Sequence, residues 1–221
     1  MIDLHTHTLH SDGTLIPSEL VRRAEEAGYR AIAITDHVDA SNARDVVSRT
    51  VEVCEALRGA VQLTVIPGAE ITHVPPSQIA DLAEKIRQWG AKVVVLHGET
   101  VVEPVAKGTN LYGLRSGIDI LAHPGLVSEE EAKLAAERGI YLELTLRKGH
   151  CITNGHVARV ASKFGAPLVL NTDAHEPGDL FSRESWLQAA LGAGLAREKV
   201  EVLRSNAEGI LRRVTAPRED T

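Results

Sequence analysis

Ala31-Ile32-Ala33-Ile34-Thr35-Asp36-His37 sets four consecutive apolar residues ahead of a polar end that carries a carboxylate and an imidazole. A short apolar run without alternation reads as a strand covered on both faces, the kind that parallel sheets of α/β proteins use. Upstream, residues 17–27 are amphipathic, with Pro17 in the first turn and Gly28 just past the end, the start and stop chemistry of a helix. The same alternation extends in both directions. Strands are expected at 2–4, 31–35, 62–66, 92–96, 118–122, 140–144 and 167–170, and helices at 17–27, 43–57, 77–89, 128–138, 155–164 and 184–191. Ser128 followed by Glu131 is a capping-box spacing, and Gly90, Gly139 and Gly165 stand where helices end. The spacing therefore predicts repeated β-α units around a parallel sheet.

The chain has 221 residues, 43% hydrophobic and 24% charged, which suits one compact domain, expected over 1–214. The polar, proline-bearing stretch 215–221 is expected to fray. Only 3% of the residues are aromatic, so Ala, Val, Ile and Leu must fill the core. A net charge of −6 with no basic run argues against duplex nucleic acid as a partner. The chain opens on no basic leader with an apolar stretch, and no segment holds the roughly 20 apolar residues that span a bilayer, so a cytoplasmic protein with no membrane contact is expected. Cys54 and Cys151 are too few and too far apart for a disulfide framework. Oligomeric state is not legible.

In a parallel β/α barrel the C-terminal strand ends converge on one face, where such folds place their chemistry. His5 and His7 follow the first expected strand, with Asp12 in the loop, and His37 follows the second. Glu70 comes after the third, His97 after the fourth, His123 after the fifth, and Asp173 with His175 after the seventh. Residues two apart in a strand point the same way, so His5 with His7, and Asp173 with His175, can chelate. Imidazole nitrogen mixed with carboxylate oxygen suits zinc, iron or manganese, and nine such side chains exceed the needs of one ion, so roughly two or three divalent ions are expected. One histidine at a strand end is commonly a satisfied core residue; nine metal-capable groups on one face would otherwise lack partners.

These residues resemble the polymerase and histidinol phosphatase (PHP) superfamily. Its motifs are matched by His5-Thr6-His7 with Ser11-Asp12-Gly13, by Thr35-Asp36-His37, by His123-Pro124 and by Asp173-Ala174-His175, with Glu70 and His97 between them. The resemblance spans residues 3–175 and implies an α/β fold, a distorted (β/α)7 TIM-like barrel, with a trinuclear metal site at the C-terminal ends of the strands. It implies His5, His7, Glu70 and Asp173 at one ion, Glu70, His97 and His123 at a second, and Asp12, His37 and His175 at a third. His10 competes with Asp12 for the third ion, and Asp12 is preferred. The chain is similar to the stand-alone phosphoesterase branch.

Phosphate ester hydrolysis by metal-bound hydroxide is the expected reaction. The substrate is a small phosphorylated metabolite, with histidinol phosphate as the first candidate and a nucleotide monophosphate as the second, both implied by the resemblance. Arg147 is the expected phosphate clamp, since guanidinium donates two parallel hydrogen bonds to phosphate oxygens. Lys148, His150, His73 and Arg183 are weaker candidates for substrate binding. Asn154 and His156 read as helix-start residues, Glu99 and Glu103 as loop structure or a source of a general acid, and Asp36 as a residue that orients a ligand. A PHP-type exonuclease and a metal-stabilised interaction domain without turnover are the alternatives.

Overall fold

The computed structural model describes residues 1–216, in which parallel strands alternate with helices. The strands are β1 (Ile2–Asp3), β2 (Ala31–Ile34), β3 (His37–Val38), β4 (Thr64–Ile71), β5 (Val93–His97), β6 (Ile120–Ala122), β7 (Tyr141–Thr145) and β8 (Leu168–Asn171). The helices are α1 (Pro17–Glu26), α2 (Ala43–Leu57), α3 (Ile79–Gln88), α4 (Thr109–Gly113), α5 (Glu129–Arg138), α6 (Asn154–Phe164), α7 (Arg183–Gly192) and α8 (Arg197–Thr215). The sheet runs β1-β2-β4-β5-β6-β7-β8, and the two-residue β3 pairs with β4 off this path. Beyond β1 and β8 a parallel bridge between Thr6 and Ala174 nearly closes the barrel. At that seam the His7 N–H donates to Ala174 O at 2.8 Å and the Asp173 N–H to His5 O at 3.0 Å. The result is an α/β TIM-like barrel.

Local chemistry explains the elements. Pro17 opens α1, Ser128 and Glu131 close a capping box at the start of α5, and Gly139 and Gly165 end α5 and α6 in the left-handed conformation. Inside the barrel Leu4, Ala31, Ala33, Ile66, Val93, Val95, Ile120, Ala122 and Val169 form one packed cluster. Alternate residues of the same strands, such as Val94, Leu96, Leu121 and Leu142, face the surrounding helices.

The structure differs from the sequence expectations at three points. β4 extends from Thr64 to Ile71 where 62–66 was expected, so Glu70 lies within a strand. It pairs with β2 over Thr64–Pro67 and with β5 over Gly68–Ile71. Pro67 stands where the first pairing ends, and a Cβ on Gly68 would meet Thr35 Cγ2 at 2.7 Å and Val93 O at 2.8 Å, so only glycine fits the crossover. Helix α8, which was not anticipated, brings Ala207 and Ile210 into the interior cluster, and its Asn206 amide donates to Leu168 O at 2.8 Å. Thr215, expected in the frayed tail, closes α8; residues 217–221 of that expected tail lie outside the described residues. Among the described residues no helix is long and apolar enough to cross a membrane.

Candidate metal centre

The face above the C-terminal strand ends is built around Glu70. Pairing of β3 with β4 sets His37 beside Glu70 in register, and the barrel seam brings His5, His7 and Asp173 to the same place. His5 Nε2 and His7 Nε2 lie 3.4 and 3.5 Å from Glu70 Oε2, and 3.6 and 3.2 Å from Asp173 Oδ1. His123 Nε2 is 3.6 Å from Glu70 Oε1 and 3.7 Å from Asp173 Oδ2. A second focus is Asp12 Oδ1, which has His175 Nε2 at 3.1 Å, His37 Nε2 at 3.5 Å and His7 Nδ1 at 4.0 Å. His10 joins neither focus; its Nδ1 lies 4.0 Å from Asp36 Oδ2.

The donor set fits divalent metal. His5, His7 and Glu70 are fully buried, yet His5 Nε2, both His7 nitrogens, both Glu70 oxygens and His123 Nδ1 make no hydrogen bond. Buried polar atoms without partners are costly, and a bound cation satisfies them at once. Three overlapping groups have ligand atoms within 4.8 Å of one another: His7, Asp12, His37 and His175; His5, His123 and Asp173; His5, His7 and Glu70. A tetrahedron with bonds of about 2.1 Å has edges of roughly 3.4 Å, so the separations quoted need little adjustment.

Electrostatics follow from this crowding. Burial, reinforced by neighbouring imidazoles, holds His7 and His123 well below their ordinary range. Burial pushes the Asp173 carboxyl up to about 7, against the pull of His5. Glu70 resists the same burial and stays well below the usual carboxylate range because His5 and His37 surround it. Burial lowers His37, but Glu70 and Asp12 carry it up to about 9. His123 and Asp173 also hold positive φ, 28° and 55°, a backbone strain that clusters at functional sites.

Supporting groups hold the ligand-type residues in place. Glu143, fully buried on β7, accepts from His5 Nδ1 at 2.9 Å, from the Asn171 amide at 2.8 Å and from the His123 N–H at 3.3 Å. The sequence reading missed it, although a carboxylate between Leu142 and Leu144 in an apolar strand was a visible signal. Asp36 accepts from the Thr8 N–H, the Thr8 hydroxyl and the Ser11 hydroxyl, each at 2.7 Å, so it fixes the loop that carries Asp12 and makes no bond to His37.

The cavity over this array has a volume of about 450 Å³, and Asp12, His37, His73, His97, Glu103, His123, Arg147, His150, Asp173 and His175 are among its lining residues. Arg147 reaches it, its Nη1 held 3.2 Å from Asp179 Oδ2. His150 reaches it too, bonded through Nδ1 to Thr100 Oγ1 at 2.9 Å. Lys148 is exposed and is not among the lining residues. Arg183 lines a different groove with Met1, Ile2 and Arg30, so it does not join the site. His97 lies with its ring centroid 4.5 Å from that of His123, but its Nε2 is 3.1 Å from Glu103 Oε2. Glu99 accepts from the N–H groups of Gly108 and Asn110 and is loop structure. Asn154 pins the end of β7 through both Thr145 backbone groups, and His156 Nε2–H donates to Val127 O at 2.8 Å, outside the cavity.

A nearly closed β/α barrel with a histidine and carboxylate array at its C-terminal face is the architecture of metal-dependent hydrolases. The family model for the PHP domain matches residues 3–108, and the chain belongs to the PHP family. It is 48% identical over 201 residues to an uncharacterized protein of Methanocaldococcus jannaschii, covering 90% of this chain and 92% of that one. It is 27% identical over 222 residues to a probable phosphatase of Syntrophotalea carbinolica, covering 90% of each. It is 30% identical over 166 residues to the 5'-3' exoribonuclease Rnm of Escherichia coli, covering 74% of this chain but only 48% of that enzyme. Solved structures that share the fold include the following two. One chain of an archaeal ribonuclease P with mature tRNA matches with a TM-score of 0.76 at 19% identity, over 100% of this chain and 94% of that one. A Lactococcus lactis histidinol phosphate phosphatase matches with a TM-score of 0.56 at 12% identity, over 98% and 94%. The family and its probable phosphatases support a metal-dependent phosphoesterase.

Proposed function

We propose that the chain hydrolyses a small phosphomonoester, using divalent ions held by His5, His7, Asp12, His37, Glu70, His97, His123, Asp173 and His175. The observation that carries this reading is that Arg147 lines a cavity of about 450 Å³ together with Asp12, His37, His97, His123, Asp173 and His175. Zinc, manganese or iron bound there supplies Lewis acidity toward phosphoryl oxygens and activates water near neutral pH. The chain's own residues do the positioning. Arg147, oriented by Asp179, holds the phosphoryl group by two parallel hydrogen bonds. Glu143 fixes the tautomer and direction of His5, and Asp36 fixes the loop bearing Asp12. The buried walls around His123 and His150 keep bulk water from the ester and strengthen every charge interaction inside. Histidinol phosphate and nucleotide monophosphates are the first substrates to assay.

A second reading, removal of nucleotides from the 5' end of single strands, is favoured by the similarity to exoribonuclease Rnm. Among the described residues that line the cavity, Arg147 is the one Lys or Arg side chain, which gives a polynucleotide backbone little to follow. Phosphate release from a panel of monoesters, set beside bis(p-nitrophenyl) phosphate and a 5'-phosphorylated oligonucleotide, tests both. The proposal expects kcat/KM at least tenfold higher on the best monoester; faster release of mononucleotides from the oligonucleotide would overturn it in favour of the second reading.

A further inference from the structure

Three arginines that the metal face does not use converge on a second cavity, of about 680 Å³, at the side of the barrel where β1 and β2 begin. Arg30 stands just before β2, Arg183 opens α7 and Arg204 lies on α8, so three separate elements supply them. Ile2, Leu170, Trp186 and Ala207 give this cavity an apolar lining, and Glu201 and Glu208 are its carboxylates. It shares no lining residue with the cavity over the metal-type array. We propose that this groove is a second anion site, which takes a phosphoryl group, free or carried by a small molecule, with Arg183 as its principal donor.

The state of each guanidinium carries the proposal. Arg183 is exposed, and among the described residues it makes no hydrogen bond or ion pair, so its whole donor fork is available to a ligand. Arg30 and Arg204 are each held through a single nitrogen, Arg30 Nη2 at 2.9 Å from Glu208 Oε1 and Arg204 Nη1 at 3.0 Å from Glu201 Oε1. Those carboxylates are 44% and 70% exposed, and ion pairs so open to solvent are weak enough for a phosphoryl oxygen to replace the carboxylate. Arg204 is also placed by the ring of Trp186, whose centroid lies 5.3 Å away and whose Nε1–H donates to Leu170 O at 3.2 Å. The three cations crowd one another: burial, and after it Arg30, Arg183 and Arg204, hold the Met1 amino group below its ordinary range. Three arginines against two glutamates leave the cavity a positive surplus that an anion relieves. An adjoining cavity of about 530 Å³ shares Arg183, Glu201 and Arg204 and adds Arg197 and Glu184, so the surplus continues along α8. A phosphoryl group brings close to two negative charges and three acceptor oxygens, a better match to three guanidiniums than the two oxygens of a carboxylate.

The proposal does not rest on the phosphatase reading, and its test reads binding rather than turnover. Trp186 lies against Arg204, while Trp89, the other tryptophan of the chain, lines neither cavity, so tryptophan emission reports on the groove. The full chain and its Arg183→Ala, Arg147→Ala and Trp186→Phe variants are titrated with inorganic phosphate, pyrophosphate and AMP, each up to about 10 mM at constant ionic strength. Circular dichroism checks the fold of each variant. The parent should show a saturable change in emission that Arg147→Ala keeps, that Trp186→Phe abolishes and that Arg183→Ala weakens by at least about tenfold in affinity. Tighter binding of AMP than of phosphate assigns the groove to a phosphorylated organic molecule whose body rests on the apolar lining, and equal binding assigns it to the free anion. No saturable change with any of the three, or equal affinities in the parent and Arg183→Ala, would overturn the site. So would a signal that survives Trp186→Phe or is lost in Arg147→Ala, since the anion would then be bound elsewhere.

Discussion

Glu143 is not among the residues that line the cavity, yet it sets the direction of His5 and braces the backbone of His123. A carboxylate behind a ligating imidazole raises its basicity and fixes which nitrogen faces the ion. Glu143→Gln should therefore weaken metal binding by about tenfold to a hundredfold in a competition titration, with the fold intact by circular dichroism. In the proposed function Arg147 acts on substrate instead. Arg147→Ala should leave metal content unchanged and lower kcat/KM for monoesters by roughly tenfold to a thousandfold, about 1.4 to 4 kcal/mol, with partial recovery in Arg147→Lys. Monoester turnover equal to the parent's would place the phosphate elsewhere. His123→Ala and Asp173→Asn should each cost far more turnover than His156→Ala, whose ring contacts Val127 O outside the cavity. The nine strand-end residues were legible because metal-capable types recurred at equivalent points of a repeating pattern. Glu143 was not, because a single carboxylate reveals its partner only when the barrel closes.

At the scale of elements, glycine marks where loops touch. Gly125 has a φ of 63°, and a Cβ there would lie 1.9 Å from Glu99 O; Gly139, with a φ of 65°, has nothing within 4 Å of the same position. Gly139→Ala should cost about 1 kcal/mol from backbone conformation alone. Gly125→Ala should cost at least twice that and should also lower metal affinity, since it separates the loops that carry His97 and His123; thermal melts of both variants check the order. Most strands and helices were legible from apolar runs and caps. β4 was read short because Pro67 and Gly68 look like a strand end in sequence, whereas here they mark the change of partner from β2 to β5. Helix α8 was not anticipated, for its apolar positions Val200, Leu203, Ala207 and Ile210 are spread through a charged stretch. Its role against the barrel interior is a tertiary fact.

Across the whole molecule, the metal array and the barrel seam share residues. His5, His7 and Asp173 flank the Thr6–Ala174 bridge that nearly closes the sheet, so ions bound there would tie the first and last strands together. Because several of these atoms are buried without hydrogen-bond partners, a cation bound to them would couple binding to folding. Repeated β-α units around a parallel sheet could be read from alternation alone, and the barrel was implied by the family resemblance; the near-closure could not be read, because it depends on hydrogen bonds such as His7 N–H to Ala174 O between the two ends of the sheet. The central claim is that phosphoester hydrolysis at this face requires divalent metal. Phosphate release from a monoester should be measured on protein stripped with a strong chelator, verified metal-free by elemental analysis, and then reloaded with Mn²⁺, Fe²⁺ or Zn²⁺. Release should vanish on stripping and return with at least one of these ions, and full activity of the verified metal-free protein would contradict the account.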